Sequence, residues 1–318
     1  MSRLHDALRR ASDGKAPILP AGAGEQNGEG QDAGQSVFSV PWSLDTGSAE
    51  GAGASADRAV QAAAADQPGA GFRLSVAGRA GSVSTEVEEK LVGSAAYTSN
   101  GRFGLVLERY RKLAATLHHA QAERGLKLVL VTSASPGDGK SLNAANLAIT
   151  LSESYQRRVL LVDGDLRRPS LHELFGAPNE SGLSDGLAGA SARGLSLIAV
   201  SPRLFLLPSG RIMEDPTTAL SSPQMREVLE LARAAFDWVV IDTPPVGLMT
   251  DAKLLAAMVD GIVLVVGAGS TSYQDALRAI DALGRERLLG AVLNRVSDVS
   301  DDAKYYRDYY AHAAPRRT

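Results

Sequence analysis

An apolar run, Leu128 to Thr132, opens directly into Ser133-Ala134-Ser135-Pro136-Gly137-Asp138-Gly139-Lys140-Ser141, and helical spacing begins at Leu142. A strand that passes through a glycine-bearing loop ending in Lys-Ser and into a helix is the context of a phosphate-binding loop. That chemistry asks for backbone N–H groups turned inward around phosphate oxygens, which Gly137 and Gly139 permit on either side of Asp138. It asks for a cation near the β and γ phosphates, supplied by Lys140, and a hydroxyl for Mg²⁺, supplied by Ser141, while the helix start adds its dipole. One position departs from G-x-x-x-x-G-K-[ST]: Ala134 stands at the first glycine, and alanine fits there where φ is negative.

The rest of the chain alternates in the same manner. Apolar runs at Val159 to Val162, Trp238 to Ile241, Ile262 to Val266 and Ala291 to Leu293 are interleaved with helical patterns at Leu142 to Leu151, Met225 to Phe236, Lys253 to Met258 and Tyr273 to Leu283. Strands bounded by turn residues and alternating with helices specify a mostly parallel sheet covered on both faces, an α/β doubly wound, P-loop NTPase-like fold. Ahead of it, Phe103, Val106, Tyr110, Leu113 and Leu117 recur at helical spacing, with Glu108, Arg109, Arg111 and Lys112 on the other face. Two of the strands end in carboxylates, Val162-Asp163-Gly164-Asp165 and Ile241-Asp242. Ligands in open α/β sheets bind beyond the carboxyl ends of the strands, so parallel pairing gathers Lys140, Ser141, Asp163, Asp165 and Asp242 at one edge. Hard oxygens of this kind suit Mg²⁺ beside a triphosphate. Taken singly, Asp165 or Asp251 reads equally well as a turn or helix cap.

Composition removes whole classes of function. With no cysteine, disulfide scaffolds, thiolate metal sites, iron–sulfur clusters and cysteine nucleophiles are excluded, and the reading is of a reducing compartment. Thirty-three basic against 36 acidic residues, a net charge of −3, give no field for nucleic acid. The longest apolar stretches fall far short of the roughly 20 residues a membrane-spanning helix needs, and Met1 to Arg10 lacks the apolar core of a secretory signal. Residues 1–12 read as a short N-terminal helix, 13–100 as a disordered linker rich in Gly, Ala and Ser, 101–300 as the P-loop domain, and 301–318 as a tail. Tyr305, Tyr306, Tyr309 and Tyr310 crowd into that tail, four of the chain's eight tyrosines. Their spacing spreads them around a helix rather than along one buried stripe, and a polar terminal setting leaves them accessible.

From about Phe103 to Tyr310 the sequence resembles the deviant P-loop ATPases, and among them the bacterial protein-tyrosine kinases (BY-kinases) of capsule and exopolysaccharide assembly. Ser-x-x-Pro-Gly-acid-Gly-Lys-Ser in the loop, Asp163-Gly164-Asp165-Leu166-Arg167-Arg168-Pro169 after the second strand, and the tyrosine-rich end carry the likeness. The resemblance implies an ATP- and Mg²⁺-dependent autokinase whose subunits phosphorylate one another's tails at Tyr305, Tyr306, Tyr309 and Tyr310. It implies Lys140, Asp163 and Asp165 as catalytic residues, with Asp163 a candidate base or ligand of the metal's water, Ser141, Asp163, Asp165 and Asp242 around the metal, Arg167 as a phosphate or partner contact, and Asn294 as an adenine reader. Read by itself, Asn294 is equally a strand-ending turn residue. The same likeness implies a homo-oligomer, activated by a polysaccharide co-polymerase-type membrane protein in a separate chain. The protein would then be cytoplasmic, held peripherally at the inner face of the plasma membrane through that partner.

Two features pull against parts of this picture. Glu108-Arg109-Tyr110-Arg111-Lys112-Leu113-Ala114 keeps Glu108 and Arg111 of the family's Glu-x-x-Arg-x-x-Arg subunit contact but has Ala114 at the last place. Together with Ala134, it motivates the alternative of a nucleotide-dependent scaffold. A further alternative is a Min/Par-like assembly or positioning ATPase, which the resemblance disfavours because Ser135 stands where those relatives carry a signature lysine. Dinucleotide redox chemistry has no G-x-G-x-x-G after the first strand to support it.

Overall fold

A computed structural model describes residues 74–79, 91, 101–188 and 194–296. The N-terminal helix at 1–12 and the tyrosines of 301–318 lie outside the described residues. The elements are β1 (Leu74–Arg79), α1 (Gly101–Arg124), β2 (Leu128–Ser133), α2 (Lys140–Glu153), β3 (Val159–Asp163), α3 (Leu171–Leu174), α4 (Leu183–Leu187), β4 (Leu195–Ala199) and β5 (Leu204–Leu207). They continue with α5 (Pro216–Leu220), α6 (Pro223–Ala235), β6 (Trp238–Asp242), α7 (Asp251–Ala256), β7 (Gly261–Gly267), α8 (Tyr273–Leu283), a 3₁₀ turn (Arg285–Arg287) and β8 (Leu288–Asn294).

One eight-stranded sheet runs in the order β1-β4-β5-β3-β6-β2-β7-β8. Every pairing is parallel except β4 with β5, which is antiparallel. Strands β2, β3, β6 and β7 are buried along their whole length. That is why they read as continuous apolar runs rather than alternations: helices cover both faces, so neither face meets water. The two resulting layers are separate cores. Leu128, Leu130, Leu160, Val162, Val239 and Ile241 point to one, and Val129, Val131, Leu161, Val240 and Val263 to the other.

Helix α1 lays Ala114 and Leu117 into the second core, with Arg109 and Lys112 exposed and Glu108 and Arg111 half-buried. Two polar ties fix its seat on α2 and the turn after it: Tyr110 donates its hydroxyl to Asn143 Oδ1 at 3.0 Å, and Tyr155, just beyond α2, donates to the Arg111 carbonyl at 3.2 Å.

Two features correct the reading of the sequence. Within the segment read as a disordered linker, Leu74–Arg79 is a strand that pairs parallel with β4 across a bulge between Val76 and Gly78. Its Leu74 is buried in the first core. A six-residue strand of this composition finds its stability in the edge it adds to, which no local pattern reveals. Likewise β4 and β5, five and four residues long, sit beyond the reach of a periodicity argument.

Candidate active site

The parallel order brings the carboxyl ends of β2, β3 and β6 side by side, with Asp163 in register with Asp242. The loop after β2 then turns into α2 through two left-handed residues, Gly137 at φ 81° and Gly139 at φ 95°, a region that favours glycine. Gly139 has a further constraint. A Cβ there would lie 2.2 Å from Asn294 Nδ2. Ala134 is not among the residues with positive φ, so the alanine at the first glycine position is accommodated as expected.

Lys140 opens α2 and reaches back over the sheet edge. Its Nζ donates to Asp165 Oδ2 at 3.0 Å and to Ser141 Oγ at 3.2 Å, and stands 3.6 Å from Asp242 Oδ2. Asp163 is fully buried and held by backbone alone: the N–H groups of Ser170 and Leu171 donate to Oδ2, each at 3.0 Å, and that of Asp165 to Oδ1 at 3.2 Å. Asp165 in turn accepts the Arg168 N–H at 3.0 Å. Asp242 differs from both. It is completely buried, and neither carboxylate oxygen has a hydrogen-bond partner.

Burial and mutual charge shift the titration of Asp163, Asp242 and Lys140. Burial pushes the Asp163 carboxyl up to about 7, with the charge of Asp242 adding to the rise and the Leu171 and Ser170 N–H groups and Lys140 opposing it. Asp242 is also raised, again chiefly by burial, against the pull of Lys140. For Lys140 burial acts downward, but Asp242 and Asp165 outweigh it and hold the ammonium above its ordinary value. The site is therefore a positive group within a cluster of acids that are expensive to ionise together, an arrangement that favours arrival of a further cation.

The residues fit a hard divalent ion. Asp242 offers two buried oxygens that accept no hydrogen bond, with Lys140 Nζ 3.6 Å away, and Ser141 and Asp165 contribute oxygen donors next to it, the donor chemistry Mg²⁺ takes. Among the described residues no group of three or more His, Cys, Asp or Glu side chains is arranged to hold an ion alone, and Mg²⁺ is commonly held by one or two carboxylates together with substrate phosphates.

The remaining residues named from the sequence fall into place unevenly. Asn294 ends β8 beside the loop and donates Nδ2 to the Asp138 carbonyl at 2.8 Å. The side chain of Asp138 accepts the Ser135 N–H at 3.0 Å and the Thr271 hydroxyl at 2.6 Å. Arg167 engages Asp251, Nε to Oδ2 at 2.7 Å, with Thr217 bridging both. In the helix α1 motif Glu108 and Arg111 pair with each other at 2.7 Å, and Ala114 is fully buried.

Sequence reasoning passed over Ser170, whose hydroxyl donates to Ser141 Oγ at 3.0 Å while its N–H anchors Asp163, and Thr271. The signal for Ser170 was its place after Pro169 and before the helical Leu171, a capping position. Thr271 had none.

A P-loop edge lined by a lysine, a serine, two strand-terminal acids and Asp165 just beyond β3 is the arrangement of a phosphate-handling protein, and comparisons with known proteins narrow this further. The family model described as ParA: NUBPL iron-transfer P-loop NTPase matches residues 126–312. Tyrosine-protein kinase YwqD of Bacillus subtilis is 40% identical over 190 residues, 59% of this chain and 80% of the relative. Putative tyrosine-protein kinase CapB of Staphylococcus aureus is 30% identical over 208 residues, 64% of this chain and 90% of the relative. The solved kinase domain of Escherichia coli tyrosine kinase ETK superposes with a TM-score of 0.56 at 30% identity, over 61% of this chain and 78% of that one.

The chain belongs to the bacterial tyrosine-protein kinases, within the ParA-type P-loop NTPases. Among the described residues no helix is long and apolar enough to cross a membrane.

Proposed function

We propose that this protein transfers the γ-phosphoryl group of ATP to tyrosines in the tails of its own subunits, Tyr305, Tyr306, Tyr309 and Tyr310, and so regulates capsule or exopolysaccharide biosynthesis and export. The observation that carries the proposal is the meeting of Lys140 and Ser141 with Asp163, Asp165 and Asp242 at one sheet edge in a chain of the tyrosine-kinase family. The Gly137–Asp138–Gly139 backbone and Lys140 bind the triphosphate. Ser141, Asp165 and Asp242 would hold Mg²⁺, with Asp163 beside them, and the ion would supply charge neutralisation at the phosphates.

In the transfer, the bond from Pγ to the β,γ-bridging oxygen breaks and a bond from the tyrosine Oη to Pγ forms, leaving ADP. Asp163 takes the phenolic proton. Its immobilisation by three backbone N–H groups supports that role, since a base must be held in place to be effective. Asn294, beside the loop, is the residue for the adenine. Each phosphotyrosine would add about −1.5 to −2 charge next to Asp301, Asp302 and Asp308, so extensive phosphorylation drives subunits apart. A polysaccharide co-polymerase-type membrane protein in a separate chain is the proposed activator, holding the homo-oligomer at the inner face of the plasma membrane. Ala114 leaves subunit contact to Glu108, Arg111 and other surfaces.

Intact and peptide mass spectrometry after incubation with Mg²⁺ and ATP tests the reading, with Lys140→Met as the control. Phosphate on the tail tyrosines of the unaltered protein alone is the expected outcome. ATP hydrolysis with no phosphotyrosine, even with a partner's tail added, would turn the assignment to the assembly ATPase that the ParA-type family model also accommodates.

A further inference from the structure

The Asp138 side chain is 1% exposed and lies between the two left-handed glycines of the loop. Gly137 and Gly139 are the loop's most permissive joints, so the peptide units they flank can swing unless something outside the loop holds them. The described contacts that hold Asp138 come from two directions. Its carboxylate accepts the Ser135 N–H within the loop and, on the far side, the Thr271 hydroxyl at 2.6 Å. Its carbonyl accepts Asn294 Nδ2.

Thr271 is itself rigid. Its N–H donates to the Gly267 carbonyl at 3.0 Å, closing the turn after β7, and Ser272 caps α8 by accepting the Asp275 N–H at 3.1 Å. Gly267 belongs to the same device: a Cβ there would lie 2.2 Å from Ser270 Oγ and 2.6 Å from Asp138 Oδ1, so the missing side chain leaves room for both the turn and the carboxylate. A bond from the Ala268 N–H to the Asn294 carbonyl at 2.8 Å ties the two supports together.

We propose that Thr271 is a positioning residue of the phosphate loop. Its hydroxyl, acting through Asp138, holds the Gly137–Asp138–Gly139 backbone in the arrangement that accepts the nucleotide phosphates. This rests on the nucleotide-binding reading above. Without the hydroxyl, a buried carboxylate loses the shorter of its two described hydrogen bonds and the loop samples other arrangements. Apparent affinity then falls by the fraction of time the loop is competent. A hydrogen bond to a charged group lost in this way corresponds to on the order of tenfold to a hundredfold in affinity.

The test is calorimetric titration of Mg²⁺–ADP into the full chain, together with steady-state kcat and KM for ATP and the thermal midpoint without nucleotide. Thr271→Val removes the hydroxyl at constant shape, and Thr271→Ser keeps it. Valine is expected to weaken ADP binding and raise KM by on the order of tenfold, with kcat at saturating ATP nearly unchanged. Serine is expected to bind like the unaltered protein. Asp138→Ala supplies the other arm of a double-mutant cycle, in which adding Thr271→Val to Asp138→Ala produces no further loss. Affinity unchanged by valine, equal losses for serine and valine, or additive losses in the cycle would each overturn the positioning role. An unaltered protein that is folded yet binds no nucleotide would instead remove the nucleotide reading on which the role rests.

Discussion

Replacing Lys140 by methionine removes the one positive side chain from among Asp163, Asp165 and Asp242, and the consequence for stability can be worked from the site. The lysine side chain is 14% exposed, those of Asp165 and Asp242 6% and 0%, at distances of 3.0 and 3.6 Å. Breaking a buried pair by deleting one partner costs about 3–5 kcal/mol, because a charge is left without compensation. The lower end applies here. Asp163, already pushed up to about 7, shows that acids in this cluster escape part of the penalty by taking a proton. With about 3 kcal/mol lost at pH 8, and roughly 2–4 °C per kcal/mol for a folded unit of this size, the thermal midpoint should drop by about 6–12 °C.

The pH dependence has a definite sign. Loss of the lysine raises the folded-state pKa of Asp163 and Asp242 further above the unfolded value near 4, so the folded variant holds more protons than the unfolded chain. Its stability therefore falls as pH rises through the window between those values, and the penalty is larger at pH 8 than at pH 6. Urea unfolding of both proteins without nucleotide at the two pH values measures it. A variant as stable as the unaltered protein at pH 8, or one penalised more at pH 6, would refute the electrostatic account of the site. In either case phosphotransfer should be abolished.

Two further substitutions probe separate parts of the fold. Gly139→Ala places a Cβ in a left-handed position and 2.2 Å from Asn294 Nδ2, so nucleotide affinity should fall by on the order of tenfold or more; normal ADP binding in a calorimetric titration would show that the loop is not the nucleotide site. Asp260 receives both terminal nitrogens of Arg233, at 2.8 and 2.9 Å, and the Lys127 and Leu128 N–H groups at the start of β2. Burial raises its carboxyl, but the guanidinium and the two N–H groups prevail and hold it below the usual range. Asp260→Ala should cost about 1–2 kcal/mol at neutral pH, discounted for partial exposure. Because the folded pKa is depressed, the contribution is present above about pH 4 and disappears as pH falls through the folded value. A urea-unfolding deficit that persisted at pH 3 would contradict that assignment.

The long, doubly covered strands were legible because burial on both faces forces continuous apolar composition, and Leu128 to Thr132 or Ile262 to Val266 can hardly be read otherwise. Strand β1 was not, since Leu74–Arg79 becomes a strand only where β4 offers an edge. At the site, Lys140, Ser141, Asp163 and Asp242 stood out because each lies at a strand end or helix start that the pattern marks. Arg167 was singled out, but its Asp251 partner is 84 residues away. Thr271 was invisible for the same reason, its contact with Asp138 spanning 133 residues.

What the sequence by itself determined is chemistry of short range: a glycine pair that frees a loop, a lysine and a hydroxyl at a helix start, acids placed where apolar runs stop. These follow from residue type and spacing alone. The tertiary structure decided which of those groups meet, which is a matter of strand order. Because β3 and β6 lie side by side and β2 borders β6, three acids crowd one lysine and Asp242 is left with oxygens that accept no hydrogen bond. Strand order is set by how the helices pack both faces of the sheet, a property of the whole chain that no local window contains.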